Sequence, residues 1–147
     1  MTDSTLVLRR ADNEDLAYAE TLLRNNDLPA ADVRSKPDCF YVGRRGGERV
    51  GVAGLERRSS DALVRSVVVE ASSRDRGVGT AIYDALEAEA AASGVETLYL
   101  LTTTAAGFFE DRGFEAIERS EAPPAIRGTD EFEALCPASA TCLRKRL

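Results

Sequence analysis

The stretch "VRSVVVEASSRDRGVGTAIYDALEAEA", residues 64–90, joins a run of valines to an arginine- and glycine-rich loop and then to a long helix. Val67 to Val69 predict a buried strand, and apolar residues at helical spacing predict a helix over about Val78 to Ser93. Gly94 follows as a helix stop. Because a helix N-terminus leaves backbone N–H groups unpaired and carries partial positive charge, this junction favours binding of an anion.

The sequence of this loop excludes two common anion-binding motifs and fits a third. It lacks the lysine of a phosphate-binding loop, and Ile82 stands where a dinucleotide fingerprint needs its third small residue. It fits R-x-x-G-x-G, as Arg74-Asp75-Arg76-Gly77-Val78-Gly79. Arginines supply charge for a diphosphate, and glycines let a ligand approach the backbone.

Patterns on either side of this stretch predict the remaining elements. "STLVLRRA" predicts a first strand, and Asp12 predicts the cap of a helix through about Asn26. Gly46-Gly47 joins two strands in a hairpin. Residues 120–137 predict a long connection with one helical turn after Thr129. The order β-α-β-β-β-α-β-α-β-β predicts one α/β (α+β) domain over residues 1–147, with a mixed, mostly antiparallel sheet of about seven strands flanked by helices.

Composition narrows the classes of function. The chain has 147 residues and a net charge of −6, which argues against nucleic acid as the main partner. It has no histidine, which argues against zinc catalysis and a histidine-based triad. No apolar run is long enough to cross a membrane, and no signal-peptide pattern precedes the first strand. We therefore expect a cytoplasmic protein with no metal and no membrane contact.

Three cysteines are an odd number for a disulfide framework, and Cys39, Cys136 and Cys142 are expected to be small buried hydrophobes. An arsenite thiol site is the alternative for the last two. If residues 136–142 are extended, these two cysteines lie about 20 Å apart and cannot chelate one atom. Chelation would require Pro137 to turn the chain.

Two motifs together resemble a known family. R-x-x-G-x-G between a strand and a helix resembles the acetyl-CoA-binding loop of the GNAT acetyltransferase superfamily. "TAAGFFEDRGF", residues 104–114, looks like its second motif, N-x-x-A-x-x-F-Y-x-x-x-G-F. The resemblance covers nearly the full chain and implies splayed fourth and fifth strands that hold acetyl-CoA. The implied cofactor residues are Val67, Val68, Val69, Arg74, Asp75, Arg76, Gly77, Val78, Gly79, Thr80, Thr102 and Phe109.

The chain departs from this family at positions that matter for chemistry. Phe109 replaces the tyrosine that often protonates the departing thiolate, Thr102 replaces the asparagine, and Leu63 replaces the glutamate base of histone-type members. The catalytic acid and base are therefore unassigned. Proton carriers left open are water, Glu56, Glu70, Tyr41 and Tyr83.

Binding both reactants side by side supplies much of the rate without a strong base, and a backbone N–H near Val67 to Val69 is a candidate oxyanion donor. Strand alternation puts residues 63, 65, 67 and 69 on one face, so Arg65 is a candidate for gripping an anionic acceptor. A salt bridge to a neighbouring strand is its alternative role. Arg34 and Arg127 lie in loops that could close over the acceptor.

The tail, residues 120–147, is similar to the C-terminal signature of the arsenic-resistance N-acetyltransferase subfamily, as is "LYLLTTTAAGFF" upstream. This resemblance implies acetyl transfer to a primary amine of a small molecule, with an amino-acid-like arsenical among the acceptors. Another acceptor (a protein N-terminus, a polyamine or an antibiotic), a non-catalytic acyl-CoA sensor and a protein without CoA affinity are the alternatives. Monomer and homodimer both stay open.

Overall fold

The computed structural model describes residues 5–74, 77–135 and 139–147, with the backbone alone described at 134 and 135. Over these residues the chain forms seven strands and four α-helices in the predicted order, with one added helix near the C-terminal end. The strands are β1 Leu6–Arg10, β2 Phe40–Arg45, β3 Glu48–Arg58, β4 Asp61–Val69, β5 Thr97–Thr102, β6 Glu115–Ile117 and β7 Thr141–Arg146. The helices are α1 Asn13–Asn25, α2 Val78–Ala92, α3 Ala106–Glu110 and α4 Pro124–Arg127.

All seven strands join one mixed sheet in the order β1-β2-β3-β4-β5-β7-β6. Neighbouring strands are antiparallel except β4 and β5, which are parallel. This parallel ladder is short, running from the pair Asp61–Thr97 to the pair Leu63–Tyr99. Beyond that point β4 and β5 diverge, which confirms the predicted splay and opens a gap within the sheet.

Helices cover both faces of the sheet. On one face, Ile82, Leu86 and Ala90 of α2 pack into a core with Val64 and Leu98. On the other face, α1 buries its predicted apolar stripe, and α4 packs beside it through Ile126 against Leu63 and Tyr99. The stripe consists of Leu16, Ala19, Leu22 and Leu23. The gap between β4 and β5 therefore opens between two helical layers.

A bulge in β4 overturns the predicted strand alternation. Ser66 has φ 59, and the β3–β4 register skips a residue between the pairs Val52–Val68 and Gly54–Arg65. Because a bulge adds one residue, side chains beyond it change face. Arg65 keeps the α1 face, whereas Val67 turns to the α2 face. The prediction that residues 63, 65, 67 and 69 share a face is wrong.

The segment after β6 is more structured than predicted. Pro124 begins α4, since proline at the first helical turn lacks only an N–H that would be unpaired there. The predicted turn after Thr129 corresponds to a π-helical turn, Glu131–Leu135. Within the described part of the chain, no helix is long and apolar enough to cross a membrane.

Candidate functional site

A cavity of about 650 Å³, the large cavity, occupies the gap beyond the last β4–β5 pair. Its walls come from the end of β4, the loop after it, the first turn of α2, the start of α3 and the segment after α1. The lining residues are Asn26, Leu28, Val67, Val68, Val69, Arg74, Gly77, Gly79, Thr80, Thr104, Ala105, Phe108 and Phe109. Most of the residues predicted to hold a cofactor thus border one space.

One end of the large cavity is the first turn of α2. Gly77 caps this helix in the left-handed region, with φ 74, which glycine adopts without a Cβ clash. The first intrahelical bond runs from the Ala81 N–H to the Gly77 carbonyl, at 3.0 Å. Among the described residues, no side chain caps α2, and its first turn holds no acidic group. Its leading N–H groups are therefore left for a ligand.

Arg74 spans the cavity from the loop side. Its Nε donates to the Val69 carbonyl at 3.1 Å, and its Nη2 donates to Asn26 Oδ1 at 2.6 Å. Asp75 and Arg76, predicted beside it, lie outside the described residues. Val78 differs from its predicted neighbours, because its side chain is buried in the core under α2 and it lines neither the large cavity nor the space at the β4–β5 fork.

A second space of about 110 Å³, the small cavity, lies at the point where β4 and β5 part. It is lined by Leu28, Val64, Arg65, Ser66, Val67, Leu100, Leu101, Thr102, Thr104, Ala105 and Phe109. Val67, Thr104 and Phe109 border both cavities, so the two spaces are neighbours. Thr102 reaches only the small one, and its Oγ1 accepts the Ala105 N–H at 2.9 Å. That bond orders the entry to α3.

Aromatic rings form the wall between the cavities and the core. Phe109 is buried and makes edge contacts with Phe108, Phe114 and Tyr83, with centroids 5.0 to 6.0 Å apart. Phe108 contacts the same ring from the cavity side. Phe109 therefore serves as an apolar wall and, as the sequence indicates, has no hydroxyl to give.

Arg112 is a site residue that sequence reasoning missed. Its guanidinium carbon lies 3.6 Å from the centroid of the Phe108 ring, and its Nη1 donates to the Phe108 carbonyl at 2.7 Å. Its Nη2 donates a short hydrogen bond to Thr80 Oγ1. Arg112 thus ties the end of α3 to the first turn of α2. The i, i+4 spacing of Phe108 and Arg112 is the signal that could have revealed it.

Arg65, the predicted acceptor-binding residue, instead holds a buried ion cluster. Its side chain is 0% exposed, and it pairs with Asp32, Glu56 at 2.9 Å and Glu131 at 3.2 Å. Lys36 joins the same group through Asp32 and Glu56. The guanidinium is therefore already matched by three carboxylates. The prediction of a neighbouring-strand salt bridge describes this residue better than that of an acceptor clamp.

The ion cluster shifts the pKa values of two of its members, Asp32 and Lys36. Burial alone would raise the pKa of Asp32, but the hydrogen bonds and charge of Arg65 outweigh it and hold that pKa below its ordinary value. Burial alone would lower the pKa of Lys36, yet the hydrogen bond to Asp130 and the Glu56 charge raise it. Both groups therefore keep their charge near neutral pH.

Two further arginines predicted at the acceptor lie elsewhere. Arg34 is exposed and pairs with Glu20 at 3.0 Å. Arg127 donates from Nε to the Ala122 carbonyl at 3.0 Å, at the end of α4. Neither borders the large or the small cavity.

The candidate proton carriers are engaged in structural contacts. Glu56 belongs to the ion cluster, and Glu70 Oε1 accepts the Tyr18 hydroxyl at 2.7 Å. Tyr83 donates to Glu87 Oε1 at 2.7 Å, and burial together with that carboxylate raises its pKa. The Tyr41 hydroxyl accepts from Arg57 at 2.7 Å. None of the four lines the large or the small cavity.

The structure confirms the expected burial for Cys142 but not for Cys39, which is half-buried. Cys142 is buried in β7, and burial raises the pKa of its thiol to about 11. Cys39 ends the 3₁₀ turn Pro37–Cys39 rather than starting a strand. Cys136 lies outside the described residues. In the part of the chain that the structure describes, no cluster of histidine, cysteine or carboxylate side chains could hold a metal ion.

A family model described as "Acetyltransferase (GNAT) domain" matches residues 36–116, which hold β2 to β5, α2, α3 and the lining residues of both cavities except Asn26 and Leu28. The chain belongs to the GNAT acetyltransferase family. The matched model is that of an acetyltransferase domain.

Solved GNAT structures share the whole fold. N-acetylglutamate synthase from Neisseria gonorrhoeae, complexed with coenzyme A and N-acetyl-glutamate, matches with a TM-score of 0.85 at 19% identity. This match covers 99% of the present chain and 36% of that protein, so the chain spans about a third of that synthase. Rv2747 from Mycobacterium tuberculosis, in complex with CoA and NLQ, matches with a TM-score of 0.80 at 22% identity, over 96% and 99% of the two chains. Ard1 from Thermoplasma volcanium matches with a TM-score of 0.73 at 16% identity, over 97% and 98%.

Proposed function

We propose that this GNAT enzyme moves the acetyl group of acetyl-CoA to a primary amine of a small molecule, with the cofactor in the large cavity and the amine entering at the small one. The observation that carries this proposal is the position of the large cavity. It runs from the unpaired part of β4 to the uncapped first turn of α2. Such a space suits a molecule with an amide-bearing arm at one end and an anionic group at the other.

In this proposal the pantetheine arm lies along Val67 to Val69. Among the residues that the structure describes, β4 beyond Leu63 has no strand partner on the β5 side. Its backbone groups on that side are therefore available for hydrogen bonds, as in strand addition. The diphosphate meets the first-turn amides of α2 and the arginine of the loop. Gly77, Gly79 and Thr80 form that end, and we keep Asp75 and Arg76 with them as a prediction from sequence.

The arrangement supports catalysis by approximation. Val67, Thr104 and Phe109 border both cavities, so a thioester at the end of the arm would lie against the space for the amine. Holding two reactants in contact yields effective molarities of about 10⁵ M or more. A backbone N–H of the β4 bulge would stabilise the thioester oxygen as charge develops on it. Because Phe109 has no hydroxyl, we assign protonation of the thiolate to water.

The acceptor we propose is a small amino-acid-like amine. One of the similar structures holds N-acetyl-glutamate, the N-acetylated form of an amino acid, together with coenzyme A. The small volume of the second cavity agrees with a small acceptor. Similarity of the tail to the arsenic-resistance subfamily adds an amino-acid-like arsenical to the candidates. Arg65 is not part of this proposal, because its guanidinium is fully paired.

The test measures free-thiol release on mixing the protein with acetyl-CoA and a panel of amines. The panel holds neutral, acidic and arsenical amino acids, a polyamine and a peptide N-terminus. We expect release above hydrolysis with at least one amino acid, and loss of CoA binding in Arg74→Ala. Arg24→Ala is the matched control, since Arg24 is an exposed arginine on α1 paired with Glu20.

Three outcomes would contradict the proposal in different ways. Release with the polyamine or peptide alone would replace the acceptor class while leaving the cofactor site in place. Tight CoA binding without thiol release from any amine would favour a non-catalytic acyl-CoA sensor. Absence of calorimetric binding of CoA to the folded protein would refute the assignment of the large cavity.

A further inference from the structure

We infer that Arg112 is a positioning residue for the cofactor diphosphate, acting through the hydroxyl of Thr80. This inference rests on the function proposed above, and it concerns a residue outside the R-x-x-G-x-G loop. Arg112 follows α3, whereas Thr80 lies in the first turn of α2 and lines the large cavity. Their hydrogen bond joins elements 32 positions apart in the chain.

The direction of this hydrogen bond carries the argument. A guanidinium has donors and no acceptor, so the Thr80 oxygen must accept from Arg112 Nη2. The hydroxyl proton of Thr80 then points away from Arg112. Within the described residues, the Thr80 hydroxyl donates to no protein atom. It is therefore a donor without a partner at the wall of a cavity.

A donor fixed in this way selects an anionic or acceptor-rich ligand. The N–H groups of the same helical turn are donors without intrahelical partners, and the turn has no acidic side chain. The Thr80 hydroxyl and the first-turn amides thus offer the ligand only hydrogen-bond donors. The positive charge of Arg112 is hydrogen-bonded to that hydroxyl. Phosphate oxygens accept hydrogen bonds and carry the opposite charge, so they match both features.

The position of Arg112 is held independently of any ligand. Its guanidinium stacks on Phe108 and donates to the Phe108 carbonyl at 2.7 Å. The Nε is buried and has no hydrogen-bond partner among the described residues. The contacts with Phe108 and Thr80 therefore hold the side chain in place even though its Nε is left without a hydrogen-bond partner. Because Phe108 lines the large cavity, the same contacts also fix that wall.

The experiment compares three ligands on four variants. Calorimetry gives the Kd of CoA and of 3′-dephospho-CoA, which keeps the diphosphate, and ligand-observed NMR gives that of pantetheine, which has no phosphate. The variants are Thr80→Val, Thr80→Ser, Arg112→Met and the double variant Thr80→Val with Arg112→Met. Arg144→Met is the matched control, a partly buried arginine of β7 that is paired with Glu115 and lines neither cavity.

We expect Thr80→Val and Arg112→Met each to weaken CoA and 3′-dephospho-CoA by about 10-fold to 100-fold, the usual loss for a hydrogen bond to a charged group. Pantetheine should change by less than about 2-fold, because it bears no charge for these groups. The double variant should bind about as weakly as the weaker single variant. Thr80→Ser should restore binding, and the dependence of CoA affinity on salt should be shallower in Arg112→Met.

Three results would overturn the inference. The first is a Thr80→Val protein that binds CoA as the wild type does. The second is equal weakening of all three ligands by Arg112→Met, which indicates packing alone. The third is full additivity in the double variant. If Arg112→Met does not fold, Thr80→Val and Thr80→Ser still decide, since both leave the arginine in place. Lack of CoA binding by the wild type would instead contradict the proposed function.

Discussion

Replacing Arg65 by methionine should destabilise the protein strongly, even though both side chains are long and unbranched. The change removes the cation that three buried carboxylates share, Asp32, Glu56 and Glu131. Breaking a buried ion pair costs about 3–5 kcal/mol, because a charge is left buried without its partner. Lys36 stays within 3.4 Å of two of these carboxylates. We therefore expect a loss near the lower end, about 3 kcal/mol.

The loss should depend on pH in a defined direction. In the wild type the folded pKa of Asp32 is lowered, so its contribution to stability is present above its unfolded pKa of 3.8 and disappears as pH falls through the folded pKa. In Arg65→Met, burial still raises the pKa of Asp32 while the main lowering contact is gone. In the folded variant, Asp32 then takes up a proton as the pH falls, which removes the cost of burying its unpaired negative charge. The difference between the two proteins should shrink between about pH 7 and about pH 4.5.

Urea denaturation followed by circular dichroism measures both effects as free energies of unfolding. Arg24→Met is the control, since Arg24 is exposed and its substitution should change stability by less than about 0.5 kcal/mol. The reasoning would be refuted by a loss in Arg65→Met below about 1 kcal/mol. It would also be refuted by a loss that stays constant over this pH range.

The remaining predictions concern packing, capping and reactivity. Gly51→Ala would place a Cβ 2.5 Å from the Val68 carbonyl oxygen, so urea denaturation should show that the free energy of unfolding falls by about 1–3 kcal/mol. Gly107→Ala is the control, because the space around its Cβ is open, and it should show no loss. Asp12→Ala should cost about 1 kcal/mol by the same assay, because it removes the α1 cap that accepts the Asp15 N–H at 2.8 Å, and an unchanged midpoint would contradict that role. Mass spectrometry after alkylation at about pH 8 should find Cys142 unmodified in the folded protein and modified after denaturation, because its thiol is buried and its pKa is about 11. Labelling of the native protein at Cys142 would show that β7 opens.

The helices and turns could be predicted from the sequence because their formation depends on residues that are neighbours in the chain. The stripe of α1 follows from helical spacing, and its start follows from the Asp12 cap. The hairpin between β2 and β3 follows from Gly46 and Gly47, both with positive φ. The loop before α2 was found because helix-terminus chemistry is encoded in consecutive residues.

The parts that sequence reasoning missed depend on residues far apart in the chain. Arg65 meets Asp32 and Glu131 only after folding, and nothing near Arg65 indicates that its charge is already matched. The Ser66 bulge reversed the faces of the strand, and a bulge at a serine leaves no local signal in a valine-rich run. The sequence pattern predicts a connection around Pro124, although proline is equally suited to start a helix.

The gap in the sheet also determines how strand edges are presented to other proteins. The outer edges belong to β6, which is only three residues long, and to β1, which ends in Arg9 and Arg10. Short or charged edges resist pairing with a foreign chain. The unpaired edge of β4 instead lies inside the sheet and borders the large cavity. The fold thus keeps one strand edge open to a slender molecule while discouraging edge-to-edge aggregation.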